Sequence, residues 1–152
     1  MQFALDSLAF QISSAGWRDV WAIWRLQRSV FKHDAYDPLT LLTMSFMPHT
    51  SWLKAVADER LVGFVAGERS ARDGFAWIVM LAVHPDYQGR GIGTALLLAA
   101  ERILQSSRVR LTVRLSNARA IALYHRCGYR WIDTYRHYYH DGEDGLVMEK
   151  RL

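Results

Sequence analysis

The sequence predicts an α/β fold, a mixed twisted sheet of about seven strands with helices on both faces, and three observations carry that reading. Short alternating or β-branched runs recur between helical ones, in the order β-α-α-β-β-β-α-β-α-β-β. The apolar run Trp77 to Val83 is followed by a glycine-rich turn, a helical run from Thr94 to Leu104 and the alternating run Val109 to Leu115. Two strands joined by such a crossover are parallel neighbours, and ligands of α/β sheets sit at the carboxyl ends of strands like these. Finally, 152 residues, 51% hydrophobic and 22% charged, suit a single domain spanning 1–152 with a sizeable core.

Each element has a local reason. Leu8 to Ser13 alternates as a first strand, and Ser14 stands where it can cap the first helix. Trp17, Val20, Trp21, Trp24, Gln27 and Phe31 then recur at helical spacing. The tryptophan stripe at 17, 21 and 24 reads as core rather than as an acceptor pocket. Pro38 opens a second short helix that reaches about Met47 and stops at Pro48. Trp52 to Ala57 and Leu61 to Glu68 form a hairpin about Asp58-Glu59. Ala71-Arg72-Asp73-Gly74 turns the chain into the strand Phe75 to Val83. Ser106-Ser107 closes the long helix. Asn117 opens the last one and Gly128 ends it as a left-handed cap. Tyr129 to Tyr138 and Leu146 to Lys150 read as a final hairpin around Asp141-Gly142 and Asp144-Gly145.

Composition removes several function classes. No apolar stretch approaches the roughly 20 residues that span a bilayer, so no membrane association is expected. The segment Met1 to Phe10 carries Asp6 and no basic residue, unlike a secretory leader. A single cysteine, Cys127, allows neither an internal disulfide nor a cysteine-based zinc site, and no other ligand pair has metal-binding spacing. The expected location is the cytoplasm. The net charge of +4 gathers late in the chain, at Arg108, Arg110, Arg114, Arg119, Arg126, Arg130 and Arg136. No nucleic-acid-binding motif accompanies these arginines, so a phosphate-rich cofactor and a solvated basic face divide them.

The glycines of Gln88-Gly89-Arg90-Gly91-Ile92-Gly93-Thr94 fall between a strand and a helix start. There, free N–H groups and the helix dipole favour a phosphate, and glycine lets the backbone come close to it. The spacing fits neither a dinucleotide fingerprint nor a P-loop, which ends in Gly-Lys-Ser/Thr. It resembles the acetyl-coenzyme A loop of the GCN5-related N-acetyltransferases (GNAT). A second segment, Ser116-Asn117-Ala118-Arg119-Ala120-Ile121-Ala122-Leu123-Tyr124-His125-Arg126-Cys127-Gly128-Tyr129, matches that family's S-N-x-x-A-x-x-L-Y-x-x-x-G-[FY] pattern, one helix and one strand further on. The resemblance covers roughly Trp52 to Leu152; the N-terminal third agrees only in the order of its elements. The ending from Arg136 to Met148, with its Tyr-Tyr and Gly-Glu-Asp steps, is similar to the subgroup that acetylates protein N-termini, including the ribosomal-protein alanine N-acetyltransferases.

The resemblance implies acetyl-CoA as cosubstrate and direct attack by an amine on its thioester. The acceptor is the α-amine of a protein or peptide N-terminus. A small-molecule amine is the alternative, and a non-catalytic CoA-binding module a further one. It implies that the parallel strand pair splays apart at the cofactor site. Backbone groups of Leu81, Ala82 and Val83 then pair with the pantetheine arm and offer donors to the developing oxyanion. Gln88, Gly89, Arg90, Gly91, Ile92, Gly93 and Thr94 hold the pyrophosphate. Asn117 is a helix cap, or a cap that also bonds the arm. Arg126 either reaches the 3′-phosphate or faces solvent. Tyr124 matches the general acid that protonates the departing thiolate. Tyr138 and Tyr139 either wall the acceptor groove or are ordinary strand aromatics. The general base departs from the pattern: Thr112 and Trp77 stand where relatives often carry one. Glu68, His84, His137 and a water chain past Thr112 are the remaining candidates. An α-amine of pKa about 8 needs a base less than a lysine near 10.4 does.

Overall fold

The fold is seen in a computed structural model, in which residues 2–5, 8–31 and 33–152 are described; Asp6 lies outside them. The described chain forms β1 (Gln2–Leu5), β2 (Leu8–Ser14), α1 (Val20–Val30), α2 (Pro38–Ser45), β3 (Thr50–Ala57), β4 (Arg60–Arg69), β5 (Ala76–Val83), α3 (Ile92–Leu104), β6 (Arg108–Arg114), α4 (Ala118–Arg126), β7 (Arg130–Tyr135) and β8 (Gly145–Arg151). One eight-stranded sheet runs in the order β1-β2-β3-β4-β5-β6-β8-β7. Only β5 and β6 are parallel, as their helical crossover requires. The eighth strand, beyond the expected seven, is β1, which pairs antiparallel with β2 at the edge.

The sheet is covered on both faces, by two apolar layers. One gathers around α3 and includes Ile92, Leu96, Leu97, Leu104, Val109, Leu111 and Tyr129. The other gathers around α1 and α2 and includes Val20, Ile23, Leu26, Leu41, Trp52 and Phe64. Each fully buried leucine or isoleucine contributes about 1.5–3 kcal/mol. Position Val79 of β5 has no partner in the β4 register, which shifts between Ala66 and Gly67. This one-residue bulge reverses the parity of the strand. Ala76 and Ile78 join the α3 layer, whereas Met80 and Ala82 join the α1 layer.

The same bulge marks the end of the parallel pairing. β5 meets β6 only from Ala76 opposite Val109 to Ile78 opposite Leu111. Beyond that point β5 stays with β4 and β6 stays with β8, so the two strands part. The splay expected from the resemblance is therefore built in, with Val79 at its apex.

Several local expectations change. Ser14 ends β2 rather than capping a helix; a 3-10 turn, Trp17–Asp19, precedes α1, and the Asp19 carboxylate accepts from Gly16 N–H at 3.0 Å. The tryptophan stripe is not core: Trp17 and Trp21 are 53% and 61% exposed, and Trp24 is half-buried. The buried stripe of α1 is Val20, Ile23, Leu26 and Gln27, one residue out of phase with Trp21 and Trp24, while Trp17 lies in the 3-10 turn before the helix. α3 begins at Ile92, two residues early, inside the glycine loop. The final hairpin turns through a long loop: β7 ends at Tyr135, so Tyr138 and Tyr139 are loop residues.

Candidate active site

A cleft of about 950 Å³ opens where β5 and β6 part. Its two ends differ in construction. One end is main chain: Leu81 and Val83 of β5, then Gln88, Gly89, Gly91, Ile92, Gly93 and Thr94 at the start of α3. Gly91 sits at the N-cap with φ of 82°, a left-handed conformation that glycine adopts without steric cost. No side chain caps this helix, so its first N–H groups face the cleft unsatisfied. Gly93 permits a close approach of another kind. A Cβ there would stand 3.2 Å from Leu123 Cδ1, so the lack of one lets the start of α3 pack against the side chain of Leu123 in α4. The Gln88 amide turns back and donates to Val83 O at 2.9 Å, tying the loop to the splayed strand.

Two expected members of this end keep their side chains out of the cleft. The Ala82 side chain is buried in the α1 layer, on the side to which the bulge sends it. Arg90 turns outward and stacks over Tyr87, its guanidinium carbon 5.5 Å from the ring centre. Arg119 takes the place nearest the loop, its Nη2 3.5 Å from where a Cβ on Gly89 would be. Arg126 also lines the cleft, from the exposed side of α4. Arg110 does not contribute: it pairs with Glu149 at 2.7 Å and stacks on Phe75.

Tyr124 lies between the two ends. It is the buried residue of α4, packed edge-on against Tyr129 at 6.0 Å, and its side chain reaches the cleft. Tyr129 is itself fixed from behind. Its hydroxyl donates to Glu101 at 2.8 Å, and Lys150 holds the same carboxylate at 2.9 Å. Burial, and to a lesser extent Tyr139 and Cys127, push the Tyr124 hydroxyl well above its ordinary value. It therefore keeps its proton across the whole neutral range. Asn117 caps α4, its Oδ1 accepting from Ala120 N at 3.2 Å.

The second end is built from side chains of distant segments. Gln27, Val30, Phe31, Asp34 and Tyr36 come from α1 and the segment after it, Glu68 and Trp77 from the β4–β5 pair, and Tyr135, Tyr138 and Tyr139 from the end of β7 and its loop. Tyr138 and Tyr139 meet edge-to-face at 5.0 Å; Tyr138 is exposed and Tyr139 half-buried. Arg114, at the end of β6, binds these segments together. It holds Asp34 with two bonds of 2.7 and 2.8 Å, Asp141 at 2.9 Å and Glu143 at 2.7 Å. Its guanidinium also lies 4.1 Å from the Tyr139 ring centre. Glu143 in turn accepts from Ser116 N at 2.7 Å, joining the loop to the start of α4. Ser116 first, then Arg114, hold the Glu143 carboxyl below its usual range. Burial, then Tyr138 and Asp34, push Tyr139 up to about 12, against the pull of Arg114.

Of the candidate bases, Glu68 lines the cleft, and so does Thr112, past which the expected water chain would run. His84 and His137 do not. His84 Nδ1 accepts from Asp86 N–H at 3.1 Å, and His137 Nδ1 lies 3.0 Å from Gly142 O within its own loop. Gln27, Asp34 and Tyr36 join the cleft without any local pattern to mark them, and Arg114 and Arg119 join it from the basic run late in the chain.

This geometry has counterparts among known proteins. The acetyltransferase (GNAT) family profile matches residues 17–129. The chain belongs to this GNAT family. An uncharacterised N-acetyltransferase of Methanocaldococcus jannaschii is 35% identical over 88% of this chain and 86% of its own length. The N-alpha-acetyltransferase RimI of Mycobacterium tuberculosis is 32% identical, covering 77% of this chain and 76% of its own. The crystal structure of the ribosomal-protein-S18-alanine N-acetyltransferase of Escherichia coli superposes with a TM-score of 0.83, at 27% identity and 93% coverage of both chains. As a GNAT member the protein is an acetyl-CoA-dependent N-acetyltransferase. Among the described residues, no helix is long and apolar enough to cross a membrane, and no cluster of His, Cys, Asp and Glu could hold a metal ion.

Proposed function

We propose that this GNAT enzyme acetylates the α-amine of protein or peptide N-termini in the cytoplasm. The observation that carries the reading is the cleft with two differently built ends meeting at Tyr124. The main-chain end suits a diphosphate and a linear amide arm. The uncapped N–H groups of α3 receive the pyrophosphate, with Arg119 nearby, and Arg126 reaches outward for the 3′-phosphate. Leu81 to Val83, freed from β6, pair with the arm and offer N–H donors where charge develops on the thioester oxygen. Asn117 adds a bond to the arm while capping α4.

The acceptor enters from the aromatic end, past Tyr138 and Tyr139. Its amine must lose its charge before attack. Glu68 faces the cleft and takes a proton through water, with Thr112 along the path. This weak arrangement suffices for an α-amine of pKa about 8, which is partly neutral at physiological pH. Tyr124, buried and fully protonated, donates to the departing thiolate. M. tuberculosis RimI is named an N-alpha-acetyltransferase and the E. coli enzyme for an alanine of a ribosomal protein, which supports the reading.

A small polyamine is the second reading. Three carboxylates, Asp34, Asp141 and Glu143, share the single Arg114 at the acceptor end, an excess that would attract a polycation. Thiol release from acetyl-CoA, measured with unblocked peptides and with spermidine, separates the two. Turnover with peptides supports the first reading, and turnover with spermidine alone replaces it by the second.

A further inference from the structure

Gln27 is a polar residue on the buried stripe of α1. It is 0% exposed, among Val20, Ile23 and Leu26, yet it lines the acceptor end of the cleft beside Phe31, Asp34 and Tyr36. Its Oε1 accepts from the Tyr36 backbone N–H at 3.1 Å. That bond fixes the orientation of the amide, since a flipped group would set N–H against N–H. Nε2 is then committed to the other side. Among the described residues it is the buried side-chain nitrogen without a hydrogen-bond partner. A buried donor left unmade is costly, whereas methionine or leucine would fill the same stripe at no such cost.

We infer that Gln27 is a specificity-determining residue, whose Nε2 donates to the carbonyl oxygen of the acceptor's first residue. This inference rests on the peptide-acceptor reading. The chemistry selects the partner. Nε2 offers only hydrogens; an ammonium group offers only hydrogens too, and the single lone pair of a neutral amine is the one that attacks the thioester, so the acceptor's amine is the wrong partner for it. The partner must carry a lone pair. In an N-terminal residue the carbonyl oxygen stands one carbon beyond the α-carbon that bears the amine. An alkylamine or polyamine has no such oxygen. Held by Gln27, the carbonyl orients the amine toward the splay. Tyr36, fixed by the same side chain, closes the pocket from the segment after α1. Gln27 thereby separates α-amino acyl acceptors from plain amines, which the carboxylates around Arg114 cannot do.

The test compares a tetrapeptide acceptor with its alkene isostere, in which a carbon–carbon double bond replaces the first peptide bond and removes the oxygen. Wild-type enzyme is expected to favour the peptide roughly tenfold in kcat/KM, the size of one hydrogen bond to a buried partner. Gln27→Met keeps the volume and removes the donor. Gln27→Glu keeps an oxygen for Tyr36 N–H and removes the donor. In both variants the preference should collapse toward one, with acetyl-CoA affinity unchanged. The wild-type comparison stands even if a variant fails to fold. Equal wild-type rates on the two acceptors overturn the inference, as does a preference that survives in a folded Gln27→Glu enzyme. Turnover of spermidine with none of either peptide overturns the acceptor reading itself, and this inference with it.

Discussion

The two ends of the cleft are made of different materials. The donor end is main chain: helix N–H groups, a splayed strand and glycines that keep side chains away. The acceptor end is side chain: aromatic rings and a guanidinium holding three carboxylates from segments far apart in sequence. Main chain can be made available only by local sequence, so the donor end is compact and repeats as a motif. Side chains can be supplied from anywhere the fold allows, so no local motif spells out the acceptor end. Substitutions should therefore damage one end without the other.

The largest effect is expected from Gly91→Glu. Its carboxylate would compete with the pyrophosphate for the α3 N–H groups, and its φ of 82° disfavours any side chain. Calorimetry should find acetyl-CoA affinity reduced by more than about 100-fold, with the acceptor end intact. Tyr124→Phe should lower kcat by about 100-fold or more and leave acetyl-CoA affinity nearly unchanged, the signature of a lost proton donor in steady-state and binding assays. Arg114→Gln cuts the tie between Asp34, Asp141 and Glu143. It should raise the acceptor KM about tenfold without altering donor affinity, since it loosens only the side-chain end. Glu68→Gln should cost less than about tenfold, because an α-amine is already partly neutral.

The pH profile sharpens the same contrast. Tyr124, the proposed acid, is pushed upward by burial, so its proton is retained at neutral pH and lost only at strongly alkaline pH. The acceptor amine must be deprotonated. The kcat/KM should therefore rise with pH and level off near about 8, the value of an α-amine, with no fall through pH 10. A rise continuing toward about 10.4 would mark a lysine-type acceptor.

The two ends also differ in how legible they are. Gln88 to Thr94 and Asn117 to Tyr129 could be read because close backbone approach demands particular residues at fixed spacing. Even there, Gly91 and Gly93 hid the true start of α3, since glycine weakens the helical pattern. Loop direction, which no spacing encodes, turns Arg90 onto Tyr87 and leaves Arg119 by the glycines. The splay was implied by the resemblance, but its cause was not, because β5 is apolar on both sides of Val79 and the bulge leaves no trace in the alternation. At the acceptor end Tyr138 and Tyr139 were visible as a motif. Arg114 looked like one more residue of a basic face, because its partner Asp34 is 80 positions away. Gln27 passed as a member of an apolar stripe, and Trp17 and Trp21 as core, because two apolar stripes one residue apart share this helix and Ile23 and Leu26 take the buried one.

The acceptor nitrogen we propose is an α-amine. The most direct measurement is mass-spectrometric mapping of the acetyl group on a peptide carrying both a free N-terminus and an internal lysine. Acetyl on the N-terminal nitrogen, with the lysine unmodified, is the predicted result; acetyl on the lysine with the N-terminus left free would contradict it.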